Sequence, residues 1–224
     1  MKLGVLLPTF RDGPDDALNF ASEAASAGLD GVFAYDHLWP MGSPERPSLA
    51  PFPLLATVAR RHERLFVGPL VARVGLVSSQ YLVDEFLTLA SFAPGRVIAA
   101  LGTGDRLSAQ ENIAYGLGFQ DARERRSLLR DTAAALKGHM PVWIGAGGEA
   151  TNALARELGV EINLWGATPE RVATLSSSGP TNWAGPVPDD LTSTLDAVRD
   201  AGATWAVLSP QIEINRLKAW RDGH

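Results

Sequence analysis

Short apolar runs alternate with amphipathic stretches along the whole chain, and this alternation constrains the fold more than any other feature. The apolar runs are KLGVLLP (2–8), GVFAY (31–35), one within RLFVGPLVARVGLV (64–77), RVIAALG (96–102), PVWIG (141–145), VEINLWG (160–166), PTNWAGP (180–186) and TWAVLSP (204–210). KLGVLLP is continuous rather than alternating, as a strand buried on both faces is. Between the runs lie helical patterns with their punctuation. DDALNFASEAASAG stops at Gly28, QYLVDEFLTLASFAPG puts Leu82, Phe86, Leu89 and Ala93 on one face, and TPERVATL opens with a Thr cap and a Pro in its first turn. Eight strands, each followed by a helix, imply parallel pairing through right-handed crossovers. A closed (β/α)8 barrel, an α/β fold, accounts for them most economically, and a doubly wound open sheet is the alternative on pattern alone.

The 224 residues, 46% hydrophobic and 20% charged, suffice for one sizeable core, and a single domain over 1–224 is expected. A net charge of -5 argues against a nucleic-acid surface, which needs clustered positive charge. The absence of Cys excludes disulfides and thiolate chemistry. His37, His62, His139 and His224 lie far apart, and none has the spacing of a metal site. The start carries no signal-like apolar core and no later run approaches a membrane span, so a cytoplasmic protein without membrane partners is expected.

In a barrel of this type the chemistry gathers where the strands end. The first strand ends at Pro8-Thr9-Phe10-Arg11, the second at Asp36-His37-Leu38-Trp39, the fourth at Gly102-Thr103-Gly104-Asp105 and the fifth at Gly145-Ala146-Gly147-Gly148. The GAGGEA stretch follows a strand and opens a helix, so it presents backbone N–H groups to an anion or forms a plain glycine-rich turn. It also matches a dinucleotide fingerprint in part, with Glu161 or Glu170 only loosely placed as the acid that follows such a motif. GTGD is either a tight turn or a ligand cradle. His37 is either a structural histidine or an acid–base group with Asp36 beside it, and Trp39 reads as core or rim packing.

GVFAYDHLWP, APGRVIAALGTGD and PVWIGAGG occur in the order seen in the bacterial luciferase-like flavin monooxygenases and their deazaflavin-dependent relatives, which the chain resembles over most of its length. The branch using coenzyme F420, an 8-hydroxy-5-deazaflavin, is the most similar. The resemblance implies a (β/α)8 barrel and an oxidoreductase passing hydride between F420 and a small organic substrate. It places His37 beside the reactive ring carbon as the catalytic acid or base, with Asp36 on the ring system or holding His37, and Asp105 as a second acid or base. It implies a bulge supporting the ring at Leu70-Val71-Ala72, often with a cis peptide between non-proline residues. Gly102, Thr103 and Gly104 would line the cofactor, and the turn Gly145, Ala146, Gly147 and Gly148 would hold its phosphate.

The same resemblance leaves two further readings: an FMN-dependent monooxygenase using oxygen, and a flavin-binding protein without turnover. It also implies a homodimer. The chain departs from its relatives at Val77-Ser78-Ser79, where many carry Arg-His-Pro, and at Trp39, which follows the histidine closely. Only His139-Met140 separates the fourth long helix from Pro141, where relatives have a long excursion. That shortening implies a mouth that is more open or covered by a partner subunit.

Overall fold

A computed structural model describes residues 1–40, 42–105 and 108–224. Its strands are β1 (Lys2–Leu6), β2 (Gly31–Ala34), β3 (Phe66–Pro69), β4 (Ala72–Arg73), β5 (Ala99–Gly102), β6 (Val142–Gly145), β7 (Glu161–Trp165), β8 (Thr181–Gly185) and β9 (Trp205–Leu208). The helices are α1 (Asp15–Ser26), α2 (Pro51–Arg61), α3 (Ser79–Phe92), α4 (Ala109–Ala114), α5 (Ala122–Leu136), α6 (Glu149–Leu158), α7 (Pro169–Ser176), α8 (Leu191–Asp200) and α9 (Ile214–Asp222). Among the described residues, no helix is long and apolar enough to cross a membrane.

All strand pairs are parallel, in the order β3-β2-β1-β9-β8-β7-β6-β5-β4. The two ends of this sheet, β3 and β4, are successive pieces of the third stave. Val67 bridges Val97 in parallel, with Val67 N–H donating to Arg96 O and Ile98 N–H to Val67 O, so the sheet curls round on itself. The fold is therefore the barrel rather than the open sheet. The extra strand arises because the third stave breaks at Leu70-Val71, whose peptide bond is cis. Closure demands a close backbone approach at this seam: a Cβ on Gly68 would lie 2.2 Å from the Ile98 carbonyl oxygen.

Alternation along each strand separates two cores. Outward residues such as Leu3, Val5, Val32, Val67, Leu101, Ile144, Ile162 and Leu208 pack under the helices with Leu82, Phe86 and Leu89 of α3. Inward residues, among them Leu6, Phe33, Leu70, Ile98, Trp143, Trp205 and Val207, fill the barrel. Phe33 stacks on Trp143 at 5.3 Å, Trp205 meets both edge-on, and the Lys2 ammonium lies 4.4 Å from the Phe66 ring centre at the bottom. Glu161, at the start of β7, joins this bottom layer and accepts from Thr204. It thus lies at the end of the strand away from the rim, where no dinucleotide acid would sit, and burial raises its pKa.

Capping follows the sequence signals. Thr168 accepts from Arg171 N–H, Asp121 from Arg123 and Glu124 N–H, and Asp190 from Ser193 N–H. The arginine of the APGR segment is structural. Arg96 donates to the carbonyls of Ala59, His62 and Leu65, closing the C-terminal end of α2.

The short link from α5 to β6 falls at the start of the strands, where Ala99 N–H donates to Pro141 O. It lies at the end of the barrel opposite the strand termini, because each helix runs back antiparallel to its strand.

Gly68→Ala should cost about 3 kcal/mol, the upper range for overpacking against an immovable neighbour, as read from urea denaturation. Gly138→Ala, where a Cβ meets nothing within 4 Å, is the control. Equal midpoints for the two variants would contradict the closure seam.

Candidate active site at the C-terminal rim

Four residues from three parts of the chain meet where β2 and β4 end. His37 Nδ1 lies 2.8 Å from Glu111 Oε1. Glu111 Oε2 accepts from Leu38 N–H at 2.6 Å and from the Arg73 guanidinium at 2.9 Å. Arg73 also donates to the carbonyls of Asp36 and Ser108, and its backbone N–H donates to Asp36 Oδ2 at 2.8 Å. The Glu111 and Arg73 side chains are 2% and 5% exposed, whereas His37 keeps 25%. The cluster is thus buried except on the imidazole side.

This arrangement fixes the ring. An ionised carboxylate only accepts, so Nδ1 carries the hydrogen toward Glu111. Nε2 is then the nitrogen not engaged by protein among the described residues, an acceptor when the ring is neutral and a donor when it is charged. Asp36 does not hold His37; its carboxylate turns to the Arg73 N–H. Burial pushes the Asp36 pKa up, opposed by the Arg73 N–H and charge.

Asp105 is exposed and accepts from Ser108 N–H at 3.0 Å and Ser108 Oγ–H at 3.2 Å. These bonds set the turn into α4, the short helix from which Glu111 projects. The carboxylate in contact with the imidazole is therefore Glu111, six residues beyond Asp105 in a stretch that reads as merely polar. Its signal was faint: one acid in the first turn after a GTGD strand end.

Leu70, Val71 and Ala72 form the break in the third stave. Leu70 is buried in the barrel and Ala72 pairs with Leu101, while Val71 is half-buried at the mouth. Val71 packs over two strand ends that lack side chains. A Cβ on Gly102 would sit 2.4 Å from Val71 Cγ2, and one on Gly145 3.1 Å from Val71 Cγ1. Thr103 and Gly104 continue from Gly102 toward α4, with the Thr103 hydroxyl donating to Gly104 O.

Ala146 N–H is spent on Asn163 O, and Thr151 accepts from Gly148 N–H at the start of α6. A Cβ on Gly147 or Gly148 would meet nothing within 4 Å, so this turn faces open space.

An aromatic wall completes the rim. Phe10, after β1, stacks on Tyr35 at 5.4 Å with the planes 9° apart. Tyr35 meets Trp165, at the end of β7, edge-on at 6.4 Å, and lies 6.5 Å from the His37 ring. Burial pushes the Tyr35 phenol up to about 12, so it stays a neutral hydroxyl. Trp165 remains 53% exposed. Gly31, Phe33, Tyr35 and His37 alternate inward along β2 and its extension, a period that could have marked Tyr35 from sequence.

Residues 1–140 match the model of the luciferase-like monooxygenase family, and the chain belongs to that family. The matched segment contains Asp36, His37, Arg73 and Glu111. Over 138 residues the chain is 30% identical to an F420-dependent glucose-6-phosphate dehydrogenase from Kineococcus radiotolerans, covering 61% of this chain and 40% of that protein. The chain thus matches about two fifths of the length of such curated relatives. Among solved structures, an F420-dependent secondary alcohol dehydrogenase in complex with an F420-acetone adduct is similar with a TM-score of 0.81, at 14% identity and over 97% of both chains. A monooxygenase from Streptomyces bottropensis is similar with a TM-score of 0.75, at 13% identity over 100% of this chain and 98% of that one. Both show the shared barrel.

Glu111→Ala would leave the buried Arg73 charge without its carboxylate, a loss expected to cost about 3–5 kcal/mol in chemical denaturation. A wild-type midpoint would show that the pair contributes nothing.

The Asp36 shift also fixes a sign. A carboxyl whose folded pKa is raised binds its proton more tightly in the folded chain, so stability falls as pH rises from its ordinary value of 3.8 through the raised one. Asp36→Asn keeps an acceptor for Arg73 N–H and lacks this loss. Its thermal midpoint should therefore gain on the wild type as pH rises above 3.8; a constant difference would refute the shift.

Proposed function

We propose that the chain is an oxidoreductase that moves a hydride between coenzyme F420 and a small organic substrate, with His37 handling the accompanying proton. The observation that carries this reading is the 2.8 Å bond from His37 Nδ1 to Glu111, which leaves Nε2 as the working nitrogen. The F420-dependent dehydrogenases among the relatives support the choice of cofactor.

The residues present fit such a group. Val71 over the bare ends Gly102 and Gly145 gives a flat apolar support beside a wall of aromatic rings, and Gly147 and Gly148 leave open space at the start of α6. Leu70, Val71 and Ala72 with Gly102, Thr103 and Gly104 would hold the ring system. Gly145, Ala146, Gly147 and Gly148 would hold the phosphate, where N–H groups and the helix dipole favour negative charge. The deazaflavin, when bound, supplies a two-electron acceptor or donor of hydride.

The chain's own residues manage the proton. Oxidation of a carbinol removes a hydride from carbon and a proton from oxygen, and His37 Nε2 takes that proton; reduction returns it. Glu111 behind the ring stabilises the imidazolium so formed, and Arg73 holds Glu111 in place. Asp36 anchors the backbone of Arg73, and Asp105 sets the first turn of α4, so both act by positioning. The neutral Tyr35 hydroxyl and the Trp165 ring border the space in which a small substrate would lie.

The same cradle would accept FMN, and a monooxygenase shares the fold. Titration of the purified protein with F420 and separately with FMN, followed by cofactor fluorescence, separates these readings. Saturable binding of the deazaflavin and little FMN binding is expected, and preference for FMN would overturn the proposal. His37→Ala should retain F420 binding and lower hydride transfer about 10²-fold or more. Unchanged turnover would remove His37 from the reaction.

A further inference from the structure

A second cavity lies outside the barrel, between α5 and α6, with a volume of about 380 Å³. One wall is Arg123, Arg126, Ser127 and Arg130, at helical spacings that put them on a single face of α5. The opposite wall is Ala150, Ala153, Leu154 and Glu157 of α6, where the two alanines leave room. Arg130 is engaged by Glu157, whose second oxygen it meets at 2.8 Å. Among the described residues Arg123 and Arg126 enter no ion pair, and Glu157 is the one lining carboxylate. The groove is therefore cationic on a chain whose net charge is -5.

Its position gives it direction. Arg123 belongs to the first turn of α5, and Ala150 lies two residues beyond Gly148, which caps α6. Both helix starts follow the strand ends, so the groove begins at the glycine turn proposed to hold the cofactor phosphate and runs away from the rim. Unpaired arginines along such a path suit a flexible chain bearing several carboxylates, since the guanidinium fork matches a carboxylate in a bidentate way. Beyond its phosphate F420 carries a glutamate chain of this kind, and FMN does not.

We infer that the groove between α5 and α6 is a subsite for the carboxylate-bearing tail of the cofactor, held by Arg123 and Arg126. This rests on the F420 reading above and adds a recognition element remote from the reacting atoms.

The test compares three ligands by fluorescence titration: the deazaflavin core without phosphate, the phosphorylated form without glutamates, and F420 with several glutamates. Wild type should bind the glutamate-bearing form about tenfold more tightly than the form without glutamates, the scale of one charge-assisted contact. That advantage should shrink as salt rises. The double variant Arg123→Glu, Arg126→Glu should lose it and bind the core as wild type does. Arg126→Gln should lose part of it, and thermal midpoints establish that both variants fold.

If the tail adds nothing to wild-type affinity, or the double variant keeps the advantage, the groove assignment is overturned while the cofactor reading stands. If wild type binds no deazaflavin, both fail. Inorganic phosphate separates a tail from a free anion. Phosphate that erases the tail's advantage and spares the core supports the subsite. Phosphate that still binds at Arg123 and Arg126 when tailed cofactor saturates the protein assigns the groove to a free anion and overturns it.

Discussion

A buried ion pair, Arg73 with Glu111, joins the end of the third stave to a helix that follows the fourth. Two charges so withdrawn from water are costly, and the cost is offset only because almost every polar atom is matched. The guanidinium reaches Glu111, the Asp36 carbonyl and the Ser108 carbonyl, while Glu111 also receives Leu38 N–H and the His37 ring. One connected network therefore sets the end of β2, the conformation after the cis bond and the placement of α4. The imidazole is the part of it that faces outward, so the rigidity of the buried ions sets the orientation of the ring.

The barrel supports this rim by being filled from below. Phe33, Trp143, Trp205 and Phe66 pack edge to face and stacked in its lower and middle layers. Asn163 and Asn182, also buried, bond to each other at 2.6 Å and so satisfy part of their polarity. Other inward positions are small, with Ala100 beside Trp143, Ala184 beside Trp165, and Gly102 and Gly145 at two strand ends. The large rings plug the tube, and above them Tyr35 and Trp165 wall a mouth beside the bare strand ends Gly102 and Gly145.

Opposite ends of the molecule use polar groups differently. Around the mouth lie the fixed imidazole, the neutral phenol of Tyr35 and the open glycine turn. At the strand starts polar groups secure structure, as Arg96 does for the end of α2 and Thr204 for Glu161. The short link between α5 and β6 belongs to this second end.

The sequence by itself determined the succession of strands and helices, their caps and the residues at each strand end. These depend on local periodicity and short-range hydrogen bonding, which neighbouring residues specify among themselves. His37 and the turn at Gly145 to Gly148 were legible at strand ends in that way, whereas the break at Leu70-Val71 followed only from the family resemblance. Tertiary structure alone decided that the sheet closes, since closure rests on Val67 meeting Val97 and on Gly68 sparing the Ile98 carbonyl. It also decided which acid holds the histidine. Asp36 is adjacent in sequence, yet alternation along the strand turns it from the ring, and Glu111, 74 residues away, is brought there by the register of β4 and β5 and the turn at Ser108. Contacts between distant residues depend on how strands wind and align, and no local pattern records that.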